Sequence, residues 1–211
     1  MVVAHQRVES DRGQCGVAWT LHHGLGPEII KEIIMKIYCT GNRKGIGYAV
    51  SNLLIEKGHE VVGLNRPEYD LSVSIDPFVK DDFDVYINNA HYNWSQIDLL
   101  YELWEKNYTR NCMIINVSTI LSDVLQTRKV DQKVWKYPIY KKALDDASLH
   151  LQQFSSKCRV VLVKPGLMDT GRVLVNGRPV LPLDYFAESL YSIITSPKNI
   201  YFKVVSIKGI E

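Results

Sequence analysis

From residue 35 onward, short apolar runs alternate with longer segments whose apolar residues recur at helical spacing. The runs predict strands, in chain order KIYC, HEVVGLN, DFDVYINNA, CMIINVS, CRVVLVKPG and NIYFKVVSI. The longer segments predict helices, in order GIGYAVSNLLIEKG, IDLLYELWEK, KKALDDASLHLQQFSSK and LDYFAESLYSIIT. Strand and helix in alternation are typical of the α/β class, with one doubly wound parallel sheet and helices on both of its faces. Ligands of such sheets bind beyond the carboxyl ends of the strands.

The first 34 residues do not share this pattern. They are irregular up to the segment GPEIIKEII, which predicts a short helix, and they contain no motif. Because Met35 directly precedes the first predicted strand, we interpret residues 1–34 as an N-terminal extension that is poorly ordered or not native. Residues 35–211 are then expected to form a single domain, since a chain of 211 residues can supply one substantial core.

The composition narrows the possible functions. Hydrophobic residues make up 46% of the chain and charged residues 23%, as is usual for globular proteins. A formal net charge of +2 does not favour a role on nucleic acid or at a membrane surface. No apolar run reaches the roughly 20 residues that span a bilayer, and the N-terminal sequence lacks the apolar segment of a secretory signal. We therefore expect neither a nucleic acid nor a membrane as a partner.

The four cysteines are scattered, without the CxxC pairing typical of zinc sites, so no metal is expected. Cys39, Cys112 and Cys158 lie in or beside apolar runs, where cysteine is typical of a core. Cys15 lies in the N-terminal extension. This usage fits a reducing cytoplasm, which is the location we expect.

The segment TGNRKGIG joins the first predicted strand to the first predicted helix and contains Gly41, Gly45 and Gly47. The first glycine permits a tight turn, the second lets the backbone approach a pyrophosphate, and the third lets the helix pack closely on the sheet. The N-terminus of the helix offers free N–H groups and the positive end of its dipole to phosphates. Such a turn can also join strand and helix without a ligand, but its place after the first strand favours a Rossmann-type nucleotide site.

Further motifs follow this turn in order. TGNRKGIG resembles the TGxxxGIG turn of the short-chain dehydrogenases/reductases, and INNA, at residues 87–90, resembles the NNAG of that family. His91 stands where the family usually has glycine. INVST, which contains Ser118, resembles the strand end that carries the family's catalytic serine.

Two more motifs complete the resemblance. YPIYKKAL, with Tyr137 and Lys141, resembles the YxxxK motif, and KPGLMDT, at residues 164–170, resembles the PG…T segment that closes over the nicotinamide. The similarity covers Met35 to about Gly209 and indicates a compact member of this family.

The resemblance implies that Ser118, Tyr137 and Lys141 are catalytic. Tyr137 and Lys141 are four positions apart and so share one face of a helix. A phenol with a pKa near 10 is a poor acid at neutral pH, and a nearby ammonium is expected to lower that pKa. The family's mechanism implies that Tyr137 protonates the carbonyl oxygen, Lys141 holds the nicotinamide ribose, and Ser118 hydrogen-bonds the reacting oxygen. Pro138 predicts that the helix begins at Tyr137, since proline suits a first turn.

The end of the second predicted strand bears on the choice of cofactor. NAD-specific sites place an acidic residue there to bind the ribose 2′-hydroxyl. Here Asn65 and Arg66 occupy that place, with Arg43 and Lys44 in the glycine turn beside them. Three cations and no carboxylate suit a 2′-phosphate, so NADP(H) is favoured over NAD(H).

The full set of cofactor-binding residues that the resemblance implies is Thr40, Gly41, Arg43, Lys44, Gly45, Ile46, Gly47, Asn65, Arg66, Asp70, Leu71, Asn89, Ala90, Lys141, Pro165, Gly166 and Thr170. Within this set, Asp70 and Leu71 resemble the pair that frames the adenine.

The chain departs from the family pattern in several places. The short spacing from Arg66 to Asp70 predicts that the usual helix and strand there are lost or reduced to a turn. The family's catalytic asparagine has no clear counterpart, and Asn107 is the nearest candidate. The long segment SDVLQTRKVDQKVWK is expected to cover part of the substrate pocket, whereas GRVLVNGRPVLP, in the place of the substrate lid, is short.

These features predict an NADP(H)-dependent oxidoreductase that interconverts a carbonyl and an alcohol on a small molecule by hydride transfer. A nucleotide-sugar reductase or epimerase of the same superfamily stays open, because the abbreviated second half of the nucleotide fold is similar to that of short sugar-nucleotide reductases. A catalytically retired NADP-binding regulatory protein also stays open. The missing asparagine and His91 favour it slightly, whereas Ser118, Tyr137 and Lys141 argue against it. The sequence leaves the substrate, the reaction direction and assembly into a homo-oligomer open.

A chain that begins at Met35 is expected to fold and to remain soluble. Nothing upstream of Met35 matches the fold, and removing a terminal segment of this kind costs little stability, at most about 1 kcal/mol. Urea unfolding of the full and shortened chains measures the difference. Insolubility of the shortened chain, or a loss of several kcal/mol, would show that the extension belongs to the domain.

Overall fold

The computed structural model describes residues 33–124, 135–168, 170, 179–197 and 199–209. Residues 1–32 lie outside the described residues, so the domain boundary at Met35 stays a prediction. Most of the segment expected to cover the substrate pocket and most of the short segment in the place of the substrate lid, residues 125–134 and 171–178, also lie outside them. Their predicted role therefore stays a prediction as well.

The described strands form one parallel sheet of six strands in the order β2-β1-β3-β4-β5-β6. Their bounds are β1 (Lys36–Thr40), β2 (Glu60–Leu64), β3 (Val85–Asn88), β4 (Met113–Val117), β5 (Arg159–Pro165) and β6 (Val204–Ile207). From β1 the described chain runs outward to β2 and then returns past β1 to form β3, β4, β5 and β6 on the other side. The predicted α/β class with a doubly wound parallel sheet is confirmed.

Four α-helices connect or follow these strands in the described residues. Their bounds are α1 (Gly45–Glu56), α2 (Ser95–Asn107), α3 (Tyr137–Leu151) and α4 (Leu183–Ile194), with short 3₁₀ helices at Asp76–Phe78 and Ile120–Val124. Helix α3 begins at Tyr137 with Pro138 in its first turn, as predicted, because proline has no N–H to leave unpaired there.

Successive strand residues point to opposite faces of the sheet, and each face has its own core. On one face, Ile37 and Cys39 pack in a cluster with residues of α1 and α4. On the other face, Tyr38 packs in a cluster that includes Leu103 of α2 and Leu144 of α3. Helices thus cover both faces, which explains why the central strands are mostly apolar instead of alternating with polar residues.

The connection from β2 to β3 is abbreviated. After Leu64 the described chain forms turns and the single 3₁₀ helix Asp76–Phe78 before β3 begins, so β2 is an edge strand. The predicted loss of a helix and strand after Arg66 is confirmed. Cys39, Cys112 and Cys158 are buried, as expected from their apolar surroundings. No helix among the described residues is long and apolar enough to cross a membrane.

Candidate active site

The glycine turn after β1 has the backbone geometry that requires glycine. Gly41 and Gly45 have φ angles of +69° and +61°, which L side chains rarely adopt. Gly47 lies against the start of the turn, and a Cβ placed on it would come within 2.5 Å of the Gly41 carbonyl oxygen. The three glycines therefore allow a tight turn and a close approach of α1 to it, as the sequence predicts.

Helix α1 begins at Gly45 directly after this turn. Lys44 at its N-cap is extended and makes no side-chain hydrogen bond to the helix, and the first turn contains no acidic residue. The first N–H groups of the helix are thus left for another acceptor. Ile46, in the first turn of α1, packs its side chain partly against the core of the sheet face that α1 covers.

Thr40 connects the ends of β1 and β3. Its buried hydroxyl oxygen accepts hydrogen bonds from the backbone N–H groups of Asn89 and Ala90, at 2.9 and 2.8 Å. The side chain of Asn89 in turn donates to the carbonyl of Thr40 at 3.0 Å. These three predicted residues therefore lie together beside the glycine turn.

The end of β5 reaches the same place. Gly166, directly after the strand, donates its N–H to the carbonyl of Ile207 in β6 at 2.7 Å. Thr170 lies against the glycine turn, because a Cβ built on Gly45 would be 3.5 Å from the Thr170 Cβ. The structure thus brings the PG…T segment, with Pro165 at the end of β5, to the turn after β1.

Cations gather at the end of β2. The Arg43 guanidinium donates to the backbone carbonyl of Arg66 at 2.7 Å, and both side chains are exposed, as is that of Lys44. Asn65 donates its side-chain amide to the Asn42 side chain at 2.6 Å. Asn42 lies over Gly63 of β2 and was not singled out from the sequence, because an amide that braces a turn has no characteristic spacing.

Asp70 and Leu71 make local contacts. The Asp70 carboxylate accepts hydrogen bonds from the backbone N–H and the hydroxyl of Ser72, at 2.9 and 2.8 Å. The bond from the backbone N–H, and to a smaller extent the bond from the hydroxyl, lower the pKa of Asp70. Leu71 packs on the core beneath the turn, and its carbonyl accepts from Ser95 at the start of α2. Asp70 thus holds a turn, and framing an adenine stays a prediction.

Lys141 is buried in the second turn of α3. Its side-chain amine donates to the carboxamide oxygen of Gln96 and to the backbone carbonyl of Val117, both at 2.7 Å. Burial lowers the pKa of Lys141 to about 7, against the opposing effect of the Asp145 carboxylate. Two neutral acceptors thus hold an amine that is half charged near neutral pH.

Tyr137 does not show the lowered pKa that was expected from a neighbouring ammonium. The Lys141 amine lies 5.6 Å from the centre of the Tyr137 ring, and burial raises the pKa of Tyr137 to about 12. The reason is that burial disfavours the phenolate, while the lysine that should offset this effect is turned toward Gln96 and Val117. The expectation of a lowered tyrosine pKa is therefore wrong for this structure.

His91 lies edge-on to the Tyr137 ring, with 5.0 Å between the ring centres. Burial, and then the charge of Lys141, lower the pKa of His91 to about 4, so the imidazole is neutral at physiological pH. Tyr140 packs against both His91 and Trp94, with 4.6 Å between the Trp94 and Tyr140 ring centres. The residue that replaces the family's glycine is thus part of an aromatic cluster around Tyr137.

Ser118 follows β4 and is buried against α3. Its N–H donates to the carbonyl of Val163, and its hydroxyl lies 3.4 Å from the carbonyl of Lys141. The structure therefore brings Ser118, Tyr137 and Lys141 to one end of the sheet, beside the predicted nucleotide turn. Their catalytic roles stay predictions.

Gln96 is the residue at this site that the sequence analysis missed. Its amide nitrogen donates to the carbonyl of Asn88 at 2.8 Å while its oxygen holds Lys141. Asn88 donates to Asn116, and Asn116 donates to Ser148 of α3. Asn88 and Asn116 stand inside the INNA and INVST motifs, so their polar side chains within buried strands were the available signal.

Asn107 does not belong to this site. It ends α2 and donates to the carbonyls of Lys80 and Leu103, while its oxygen accepts from Arg110. These contacts lie near the amino ends of β3 and β4, at the edge of the sheet opposite Ser118. Asn107 is therefore wrong as a candidate for the catalytic asparagine.

Solved structures with this fold include several dehydrogenases and reductases. An alcohol dehydrogenase from the archaeon Thermococcus sibiricus, complexed with 5-hydroxy-NADP, is 16% identical with a TM-score of 0.67, covering 84% of this chain and 97% of its own. A short-chain dehydrogenase/reductase from Vibrio parahaemolyticus is 14% identical with a TM-score of 0.63, covering 83% and 100%. A 3-ketoacyl-(acyl-carrier-protein) reductase from Brucella melitensis, complexed with NADH, is 15% identical with a TM-score of 0.62, covering 82% and 96%.

No family model and no curated protein sequence matches the chain. At identities this low, the structural likenesses show a shared fold. The chain has the fold of the short-chain dehydrogenases/reductases over most of its length.

Replacing Lys141 with methionine is expected to stabilise the folded chain at pH 6. The lysine pKa is about 7 in the folded state and about 10.4 in an unfolded chain, so the folded state resists a proton that the unfolded state binds. This penalty is about 5 kcal/mol below pH 7, and it declines as the pH rises from 7 toward 10.4. The substitution also leaves the Gln96 and Val117 acceptors without a donor, which costs about 3 kcal/mol. The net gain in the free energy of unfolding at pH 6 is then about 2 kcal/mol. Urea unfolding at pH 6 and pH 9 measures this gain, which should shrink or reverse at pH 9.

Lys142 provides the matched control for this substitution. It is the next residue of α3, and its exposed amine pairs with Asp146 at 2.7 Å. Lys142→Met should change stability by less than about 0.5 kcal/mol at either pH, since exposed pairs of this kind contribute little. A Lys141→Met effect that is the same at both pH values would contradict the assigned lysine pKa.

Proposed function

We propose that this chain is a member of the short-chain dehydrogenase/reductase family, an NADP(H)-dependent oxidoreductase that interconverts a carbonyl and an alcohol on a small molecule. The observation that carries the proposal is the meeting of two sets of residues at the carboxyl edge of the sheet. Ser118, Tyr137 and Lys141 form one set, and the glycine turn with Thr170 forms the other. A proton donor beside a nucleotide site is what hydride transfer to a carbonyl requires.

The residues present fit a dinucleotide. A Cβ at Gly47 would fill the space against Gly41, and the first N–H groups of α1 have no side-chain cap, so the turn is built to receive an anion such as a pyrophosphate. The Arg43 guanidinium reaches the Arg66 backbone at the end of β2, and the exposed side chains of both arginines offer positive charge to a 2′-phosphate there. Beside the hydrogen bonds in its own turn, the Arg66 charge also helps to lower the pKa of the nearby Asp70 carboxylate. When bound, the nicotinamide supplies the hydride.

The chain's own residues supply and hold the proton. Because burial raises the pKa of Tyr137 to about 12, its hydroxyl keeps its proton at neutral pH and is ready to give it to a carbonyl oxygen. The Ser118 hydroxyl, beside α3, is a donor for the same oxygen. Lys141 in its charged form would stabilise the phenolate that remains, and its release from Gln96 would let it reach the ribose.

A regulatory protein that binds NADP without turnover is the second candidate. The inward-turned Lys141 favours it, because its amine is held by Gln96 and Val117 in this structure. An enzyme would show the same arrangement before its cofactor draws the lysine outward. The experiments below distinguish the two candidates.

A nucleotide-sugar substrate is the remaining alternative, and the stereochemistry of the product from a screened substrate tests it.

NADPH is expected to bind more tightly than NADH, and Arg66→Ala is expected to weaken NADPH binding by about 1.5–3 kcal/mol. The reason is that the guanidinium would contact only the 2′-phosphate, which NADH lacks, so NADH affinity should hardly change. Fluorescence or calorimetric titration with each cofactor measures both affinities.

Arg110 provides the control for loss of positive charge. It lies at the opposite end of the sheet, where its guanidinium donates to Asn107. Arg110→Ala should leave the ratio of NADPH to NADH affinity unchanged. Equal affinity of the unmodified chain for both cofactors would refute the NADP(H) assignment.

Tyr137→Phe is expected to lower turnover by a factor of about 10²–10⁴, the usual contribution of a positioned general acid. The ring stays and only the hydroxyl is lost, so NADPH should bind nearly as before. Lys141→Met should reduce both turnover and cofactor affinity, because the lysine is proposed to contact the ribose. NADPH oxidation with a carbonyl substrate found by screening measures turnover.

Tyr140→Phe is the matched control, since Tyr140 belongs to the same aromatic cluster but is not proposed to transfer a proton. Its turnover should stay within a few-fold of the parent. If Tyr137→Phe turns over at the parent rate, Tyr137 is not the acid. If the parent binds NADPH and reduces nothing in a broad screen, the regulatory candidate is favoured.

A further inference from the structure

We propose that Lys164 is a positioning residue for the site: it binds the carboxylate of Asp145 and withholds it from Lys141, so that the Lys141 amine is left to neutral acceptors. This inference rests on the proposed function to the extent that Lys141 has a catalytic role only if that function is correct. The contacts that carry it are independent of any cofactor.

The Lys164–Asp145 ion pair is buried between β5 and α3. The Lys164 amine lies 2.7 Å from one Asp145 carboxylate oxygen, and the two side chains are 7% and 2% exposed. The Ser122 hydroxyl lies 2.6 Å from that same oxygen. Lys164 also pairs with Asp123, whose side chain is largely exposed. The Asp145 carboxylate therefore forms its ion pair with Lys164 at a site that is almost fully buried.

Asp145 is also the carboxylate nearest in sequence to Lys141 on α3. The two residues are four positions apart, so their side chains share one face of the helix, on which Tyr137 stands one turn before Lys141. Yet Lys141 donates to Gln96 and to Val117. The second carboxylate oxygen of Asp145 is buried and has no hydrogen-bond partner among the described residues. A buried carboxylate oxygen without a donor is unusual. Lys141, on the same face of α3, is the donor that we expect this oxygen to take once the Lys164 charge is removed.

The titratable groups around Lys141 come from several elements. In the described residues they are Tyr137 and Asp145 on α3, the neutral His91 before α2, Lys164 on β5 through Asp145, and Asp123 through Lys164. Burial alone would lower the pKa of Lys164, but its bonds to Asp123 and Asp145 outweigh burial and raise it. Lys164 therefore stays charged near neutral pH, where the buried Lys141 amine is only half charged, and the Asp145 carboxylate pairs with Lys164.

Removal of the Lys164 charge and removal of the Asp145 charge are expected to shift the pKa of Lys141 in opposite directions. Removing the Lys164 charge frees Asp145 to stabilise the ammonium of Lys141, which should then keep its proton to higher pH. Removing the Asp145 charge deprives Lys141 of its one carboxylate neighbour on α3, and it should lose its proton at lower pH. A lysine that only supported the fold would not shift the Lys141 titration in this paired way.

The experiment follows the titration of the Lys141 side chain directly, by NMR of the full chain with lysine labelled at ¹³Cε. Lys141→Met assigns the signal. In the parent the signal should titrate near pH 7. In Lys164→Met the midpoint should rise by about one pH unit or more, and in Asp145→Asn it should fall by a similar amount. In the double variant it should match Asp145→Asn within about 0.3 units, because Lys164 acts through Asp145.

The double variant also protects the test against misfolding, since removing both members of a buried pair is tolerated better than removing one. If Lys164→Met does not fold, Lys164→Gln takes its place, since it removes the charge but keeps a polar side chain beside Asp145, and a midpoint that does not rise in it overturns the proposal. The same midpoint in the parent and in Asp145→Asn overturns it. A further shift on adding Lys164→Met to Asp145→Asn also overturns it, since Lys164 would then act without the carboxylate.

Cofactor titration adds the functional readout. If the proposed function is correct, the pH at which NADPH affinity declines should move with the Lys141 midpoint in each variant. A parent chain that binds no NADPH refutes the proposed function, while the lysine titration still decides this inference. Midpoints that shift as predicted while NADPH affinity keeps the parent's pH dependence would show that Lys164 does not position Lys141 for the cofactor.

Discussion

The burial of one amine governs the rest of this site. Lys141 can be buried only because the carbonyl of Val117 and the carboxamide oxygen of Gln96 accept hydrogen bonds from its amine. Gln96 is itself held by Asn88, and Asn88 by Asn116, so the lysine depends on polar side chains from two central strands and α2. A buried polar network of this kind fixes where α3 lies on the sheet, because any displacement would leave charged or polar groups without partners.

The position of α3 then determines what can lie beside the glycine turn. The helix begins at Tyr137, which brings the tyrosine ring to the carboxyl edge of the sheet, next to His91. Parallel strands all end at that edge, and the segments that follow them therefore lie together there. These segments are the turn after β1, the segment after β3, Ser118 after β4 and Thr170 after β5. The chemistry of the site is thus a consequence of strand direction together with one well-anchored helix.

The electrostatics of the site differ from what spacing alone suggests. A lysine four positions after a tyrosine was expected to lower the tyrosine pKa, but burial raises that pKa to about 12 and lowers that of the lysine to about 7. Both shifts have the same cause, the loss of water around a charged form. The burial of the two side chains, which the sequence spacing does not show, therefore determines their pKa values, and the expected lowering of the tyrosine pKa does not occur.

The sequence by itself determined the strands, the helices, their order and the residue types at the strand ends. It could do so because apolar periodicity, glycine at positive φ and proline in a first turn are local requirements that each segment meets alone. The family resemblance implied that Tyr137, Lys141 and Ser118 share one site, and strand direction places Ser118, which follows β4, at the carboxyl edge of the sheet.

Tertiary structure alone decided that Gln96 holds Lys141, that Lys164 takes Asp145, and that Asn107 lies at the opposite edge. Those pairings join residues from 19 to 45 positions apart. They exist only once helices and strands have packed, because a buried polar group takes whichever partner the packing brings within reach.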